Sequence, residues 1–151
     1  MNRTTTILRP VVGLITLFSV ALGLNSSTVN ATDNGSESSV QPFTEWCYQQ
    51  DAVSNSVQQT IAALLDIAGT DDCADASDRL LQMTTLDLSN RQISTLDPLA
   101  SLSHLQVLYL GQNQITEIGA IAHLTDLTAL YLPENQITNL EPISQLHQLE
   151  T

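Results

Sequence analysis

The chain has 151 residues, with 4 arginines, no lysine and 16 acidic residues, a formal net charge of −12. That length holds one modest domain and leaves no room for a two-domain enzyme. The charge repels phosphate backbones and anionic lipid, which excludes nucleic acid and membrane surfaces as partners; apolar residues at 42% exclude wholesale disorder, and aromatics at 4% leave little material for a stacking site.

Met1 to Pro10 is a short basic start containing Arg3 and Arg9, and the run from Val11 to Leu24 is uncharged. Val29-Asn-Ala31 then puts small residues at the −3 and −1 positions of a cleavage site. Basic, apolar, then small is the order of a secretory signal peptide, so residues 1–31 are expected to be a leader and Thr32 the start of the mature chain. A membrane anchor needs about 20 apolar residues, and the polar stretch after Leu24 interrupts too soon. The expected location is therefore secreted, periplasmic or cell-surface, with no membrane insertion once the leader is removed. No cysteine stands at the cleavage point for lipid attachment. The exported part keeps Arg79 and Arg91 against all 16 acids. Residues 32–42 read as a flexible linker too polar to order itself. Asn30-Ala-Thr and Asn34-Gly-Ser match the glycosylation pattern, which carries meaning only in a glycosylating host.

Residues 43–83 read as a small helical unit. Val57, Ile61, Leu64, Leu65 and Ala68 share one face of a helix. Ser54 or Asn55 is suited to cap its start and Gly69 to end it in a left-handed conformation. A second helix is expected from about Asp72 to Gln82, with Cys73, Ala76 or Ser77, Leu80 and Leu81 on its apolar face. The only two cysteines are Cys47 and Cys73, and in an oxidising compartment they allow a single intramolecular disulfide. It would close a loop of about 27 residues, worth roughly 3 kcal/mol in the loop-entropy model. No histidine lies within 25 residues of either cysteine and no C-x-x-C is present, which argues against a reactive thiol. The acids Asp66, Asp71, Asp72, Asp75 and Asp78 lack the register of a calcium loop. Those in the first turn of the second helix suit the positive end of its dipole instead.

From residue 84 onward the chain repeats itself. Leu86-Asp-Leu-Ser-Asn-Arg-Gln-Ile-Ser94, Leu108-Tyr-Leu-Gly-Gln-Asn-Gln-Ile-Thr116 and Leu130-Tyr-Leu-Pro-Glu-Asn-Gln-Ile-Thr138 follow one another at an offset of 22 residues. Further columns keep the same offset: Leu96, Ile118 and Leu140; Leu99, Ile121 and Ile143; Leu102, Leu124 and Leu146; Leu105, Leu127 and Leu149. Leu-x-Leu puts both leucines on one side of a short strand. The later apolar residues come every three, which suits a 3₁₀ arc better than an α-helix. Each coil then covers its apolar inside only with its neighbours, so about three coils are the minimum. Asn113 and Asn135 stand where the strands end, placed to turn their amides onto the backbone of neighbouring coils as a structural ladder. Arg91 replaces asparagine in the first coil, an edge effect expected where a coil faces something other than another coil.

Leu-x-x-Leu-x-Leu-x-x-Asn-x-Ile resembles the leucine-rich repeat, and the 22-residue length is similar to the bacterial internalin-like class. The resemblance implies an α/β solenoid, a stack of parallel strands about three coils long behind an N-terminal α-helical cap. The coils would span residues 84–105, 106–127 and 128–149. It also implies a concave strand face that holds another macromolecule, most simply another protein.

On that face the exposed columns would be Thr85, Val107 and Ala129; Asp87, Tyr109 and Tyr131; Ser89, Gly111 and Pro133; and Asn90, Gln112 and Glu134. The candidate binding residues are Thr85, Asp87, Ser89, Val107, Tyr109, Tyr131 and Glu134. The two tyrosines stand out, because tyrosine offers a large contact area with one polar tip. Cross-strand stacking that merely supports the sheet explains them equally well, and glycan binding at the stripe is a weaker reading. Gln92, Gln114 and Gln136 read as structural rim residues. His104, His123 and His147 fall in different columns on the polar side, read as solvated, and make no catalytic or metal-binding spacing. No cofactor, metal or enzymatic activity is expected.

The repeat register places Thr151 at the position of Val107 and Ala129, just before a fourth strand would start. Two expectations follow: a fragment of a longer repeat protein, or an open C-terminal coil available for self-association.

Overall fold

The computed structural model describes residues 40–150. The expected leader and most of the expected linker lie outside the described residues. Three helices come first: α1 Phe43–Tyr48, α2 Asn55–Ala68 and α3 Cys73–Leu80. Three strands follow, β1 Thr85–Asp87, β2 Val107–Tyr109 and β3 Ala129–Tyr131, each with a 3₁₀ turn after it, at Asp97–Leu99, Gly119–His123 and Glu141–Gln145.

The helix ends follow local chemistry. Ser54 accepts a bond from the Val57 N–H at the start of α2, and Gly69 closes it at φ 69°, a conformation glycine reaches without a Cβ penalty. Asp72 caps α3 by accepting from the N–H groups of Ala74 and Asp75 at 3.0 and 2.9 Å. Val57, Ile61, Leu64, Leu65 and Ala68 are all buried. Two readings need correction. Helix α3 stops at Leu80 rather than near Gln82, and Leu81 is 48% exposed. As the C-cap residue, Leu81 lies past the buried face of Cys73, Ala76 and Leu80. Helix α1 is an additional element, held by Phe43 and Cys47 one turn apart and both buried. A disulfide joins Cys47 to Cys73, with Cα atoms 5.7 Å apart, and ties α1 to α3.

The strands form one parallel sheet in the order β1-β2-β3. Thr85, Val107 and Ala129 are in register, as are Leu86, Leu108 and Leu130, and Asp87, Tyr109 and Tyr131. The ladder extends beyond each strand: Leu88 N–H donates to Tyr109 O, Asn90 N–H to Gly111 O, Leu110 N–H to Tyr131 O and Gln112 N–H to Pro133 O, all at 2.8–2.9 Å. The apolar columns of the first two coils, from Leu86 and Leu108 round to Leu105 and Leu127, are at most 1% exposed. Burial of this order stabilises by about 2 kcal/mol per leucine. In the third coil Leu130, Leu132, Ile137, Ile143 and Leu149 are only partly buried and Leu140 is 60% exposed, because among the described residues a neighbour covers that coil on one side.

The asparagines bind coil to coil. Asn113 Oδ1 accepts from the N–H groups of Arg91 and Ile93 in the preceding coil at 3.1 and 3.0 Å. Its Nδ2 donates to Leu88 O of that coil and to Leu110 O of its own, both at 2.9 Å. Asn135 likewise accepts from Ile115 N–H at 3.1 Å and donates to Leu110 O at 2.8 Å and Leu132 O at 3.1 Å. A side chain that is both donor and acceptor is required here, since the turn leaves carbonyls and N–H groups unpaired at one point.

Candidate functional site

Because side chains alternate across a strand, the leucines that fill the core force the residues on either side of them outward. Thr85 and Asp87 are exposed around buried Leu86, Val107 is half-buried, and Tyr109 and Tyr131 are 36% and 48% exposed around Leu108 and Leu130. The two tyrosine rings stack at a centroid distance of 4.6 Å and an interplanar angle of 7°. The ring spacing is close to the usual distance between neighbouring strands, ~4.8 Å, so the parallel register itself sets the stack.

Asp87 is in register with Tyr109 on the other side of the pair. Its Oδ1 accepts from the Ser89 N–H at 2.9 Å. That bond, helped by the Ser89 hydroxyl and by the charge of Arg91, holds the Asp87 carboxyl below its ordinary value. Beyond the strands, Asn90, Gln112 and Glu134 share a left-handed backbone, at φ 56°, 57° and 55°. Asparagine tolerates that conformation, whereas Gln112 and Glu134 hold it at a cost of about 1 kcal/mol each. Their side chains meet, Gln112 Nε2 donating to Glu134 Oε2 at 3.2 Å. Gly111 lies beneath Pro133; a Cβ on Gly111 would come within 3.2 Å of the proline ring. Of the candidate residues, Asp87, Tyr109 and Tyr131 thus form one column, Thr85 and Val107 the next along the strands, and Ser89 and Glu134 lie at the strand ends.

A groove of about 500 Å³ adjoins this face, lined by Gln59, Ala62 and Ala63 of α2 and by Ser89, Asn90 and Arg91 of the first coil. Contacts across the helix–coil boundary were not legible from spacing. Arg91 Nη1 donates to Asp66 Oδ2 at 2.6 Å, Gln59 Nε2 to Arg91 O at 3.0 Å, and buried Thr60 Oγ1 to Thr95 O at 2.8 Å. His104, read as solvated, is half-buried with Nε2 3.1 Å from Leu80 O; its ring bridges α3 and the first coil. His123 and His147 are exposed. Among the described residues, no group of three or more His, Cys, Asp or Glu side chains is placed to hold a metal, and no helix is long and apolar enough to cross a membrane.

Residues 82–137 match the family model described as leucine rich repeat. No curated protein matches the chain. Among solved structures, an internalin C2 from Listeria monocytogenes is 47% identical over 49% of this chain and 33% of its own, with a TM-score of 0.46. An internalin (inlF) from the same organism is 36% identical over 50% of this chain and 22% of its own, also with a TM-score of 0.46. The chain therefore spans about a third or less of the length of these two structures. The family match falls on coils that repeat every 22 residues and pair in parallel, so residues 82–137 form a stretch of leucine-rich repeats, and the chain is similar in sequence to these two internalins.

Proposed function

We propose that this is an exported, non-catalytic protein that recognises another protein through the outward strand face of its coils, the concave side in a leucine-rich-repeat solenoid. The observation that carries this reading is the stacked, half-exposed pair Tyr109 and Tyr131. Two rings held rigid by strand register present a wide contact area at little cost in side-chain entropy, which is what anchors an interface. Asp87, Thr85 and Val107 extend the patch along the same strands, with Ser89 and Glu134 at its edge. Export is supported by the Cys47–Cys73 disulfide, a bond rare in reducing compartments, together with the leader pattern of residues 1–31. A non-catalytic role is supported by the separation of the histidines, one tied to Leu80 O and two at the surface.

The test is Tyr109→Ala with Tyr131→Ala, used beside the wild type to capture partners from whole-culture and host-surface extracts. A partner retained by the wild type and lost by the double variant is the expected outcome. The stack itself contributes only about 1 kcal/mol, so the thermal melt followed by circular dichroism should hardly move. A variant that keeps the partner, or one that loses stability as steeply as it loses binding, overturns the reading and leaves the tyrosines as sheet support.

A further inference from the structure

Tyr109 has two faces. One is covered by Tyr131 at 4.6 Å, and since the strand order is β1-β2-β3 the other looks toward β1. The residue in register there is Asp87. Both side chains stand out from the same side of the sheet, and a tyrosine ring reaches further from the backbone than a carboxylate. The ring, held upright by its stack on Tyr131, therefore stands beside Asp87 and rises above it, leaving a ledge with an electron-rich aromatic wall and an anionic floor.

The floor is fixed and charged. Ser89 N–H donates to Asp87 Oδ1 at 2.9 Å and orients the group, which stays exposed to solvent. Among the described residues both arginines are paired with other acids, Arg91 with Asp66 at 2.6 Å and Arg79 with Asp75 at 3.5 Å, and Arg91 reaches Asp87 only through its charge. No lysine exists in the sequence. An aromatic face attracts a cation through its quadrupole, and a carboxylate beside it fits the fork of a guanidinium. A planar guanidinium can satisfy both at once, lying on the ring with N–H groups turned to the carboxylate.

We propose that the ledge between Tyr109 and Asp87 is a binding site for an arginine side chain presented by the protein partner, whose contacting surface is basic. This rests on the recognition reading above and specifies the chemistry of its partner. The net charge of −12 favours the same sign of partner at long range, while the ledge determines where the cation sits.

The probe is the capped peptide Gly-Arg-Gly-Arg-Gly, titrated into the full protein while the ring protons of Tyr109 and Tyr131 and the backbone amides of β1 and β2 are followed by NMR, the last two serving as reporters in the Tyr109 variants. The citrulline peptide, neutral but of the same shape, is the control. The arginine peptide is expected to shift the Tyr109 resonances saturably, and the citrulline peptide is not. Asp87→Asn, which keeps an acceptor for Ser89, and Tyr109→Leu should each weaken binding by about threefold to fivefold. Tyr109→Phe, which keeps the aromatic face, should retain it, and Glu117→Gln, an exposed acid away from the strand face, should leave it unchanged. Weakening by Glu117→Gln as large as by Asp87→Asn, indifference to Tyr109→Leu, or the absence of a saturable shift would overturn the inference. If the tyrosine double variant still loses its protein partner in that case, the recognition reading stands and only its arginine chemistry is wrong. A double variant that keeps its partner overturns the recognition reading itself.

Discussion

Arg91 and Asn113 hold the same place in successive coils, yet they face different neighbours. Asn113 is 7% exposed and bonds the backbone of the coil before it as well as its own. Arg91 has helix α2 before it instead of a coil, and its side chain reaches Asp66 in an ion pair that is one-third exposed on one side and 70% exposed on the other. The local backbone differs as well: Gln92, next to Arg91, is left-handed at φ 58°, while its counterparts Gln114 and Gln136 are not. Inside the stack, one buried amide serves several backbone groups whose positions the repeat reproduces. At the boundary nothing reproduces them, and at this position the contact is made by a long side chain at the surface.

The sharpest way to break this comparison is Asn113→Leu. The substitution keeps the branched shape and the number of side-chain heavy atoms but leaves Arg91 N–H, Ile93 N–H and Leu88 O without their partner. Each buried unpaired group costs about 1–3 kcal/mol, so a loss of at least about 3 kcal/mol is expected in urea denaturation. Arg91→Leu should cost under about 1 kcal/mol, the range of an exposed ion pair. Equal losses would mean that the column position itself, and not the buried amide, determines stability.

The next largest effect lies in the helices. Cys47→Ala with Cys73→Ala removes a cross-link spanning 26 residues, and about 3 kcal/mol is expected to go with it. Because both cysteines lie within the helical unit, hydrogen exchange should accelerate in α1 and α3 before it does in β1 to β3. Uniform acceleration would show helices and coils opening as a single unit, with the Thr60–Thr95 and His104–Leu80 bonds carrying the coupling.

These differences also mark what could be read from the sequence. The coil columns were legible because the offset of 22 brings the same chemistry to the same place each time, so that Leu86, Leu108 and Leu130 identify one another. The outward column Asp87, Tyr109 and Tyr131 followed by strand alternation alone. The boundary was not legible, since Arg91 and Asp66 are 25 residues apart with no period relating them, and His104 meets Leu80 at a similar separation. Helix α1 was also hidden: in its six residues only Phe43 and Cys47 are buried, too few to set a helical period. The left-handed turn at Gln112 and Glu134 carried no signal, because neither residue favours it; only Asn90 in the first coil hinted at the conformation.

The smallest effect is the most discriminating. Arg91→Asn makes the first coil match the other two at this position. If asparagine stabilised by residue type alone, the variant would gain several kcal/mol. The amides of Asn113 and Asn135 instead work by reaching backward to a preceding coil, and before Arg91 there is only α2 with Asp66, Gln59 and Ala63 at the groove. The variant is therefore expected to lose the Asp66 ion pair and gain nothing comparable, a net change within about 1 kcal/mol. Its sign is set by salt: the wild type should be slightly the more stable at low ionic strength, and the two should converge at 1 M, where the screening length falls to about 3 Å. A stabilisation above about 1 kcal/mol would show that an asparagine at the first coil finds backbone partners on α2 or in its own turn, and that the boundary is another repeat interface in all but sequence.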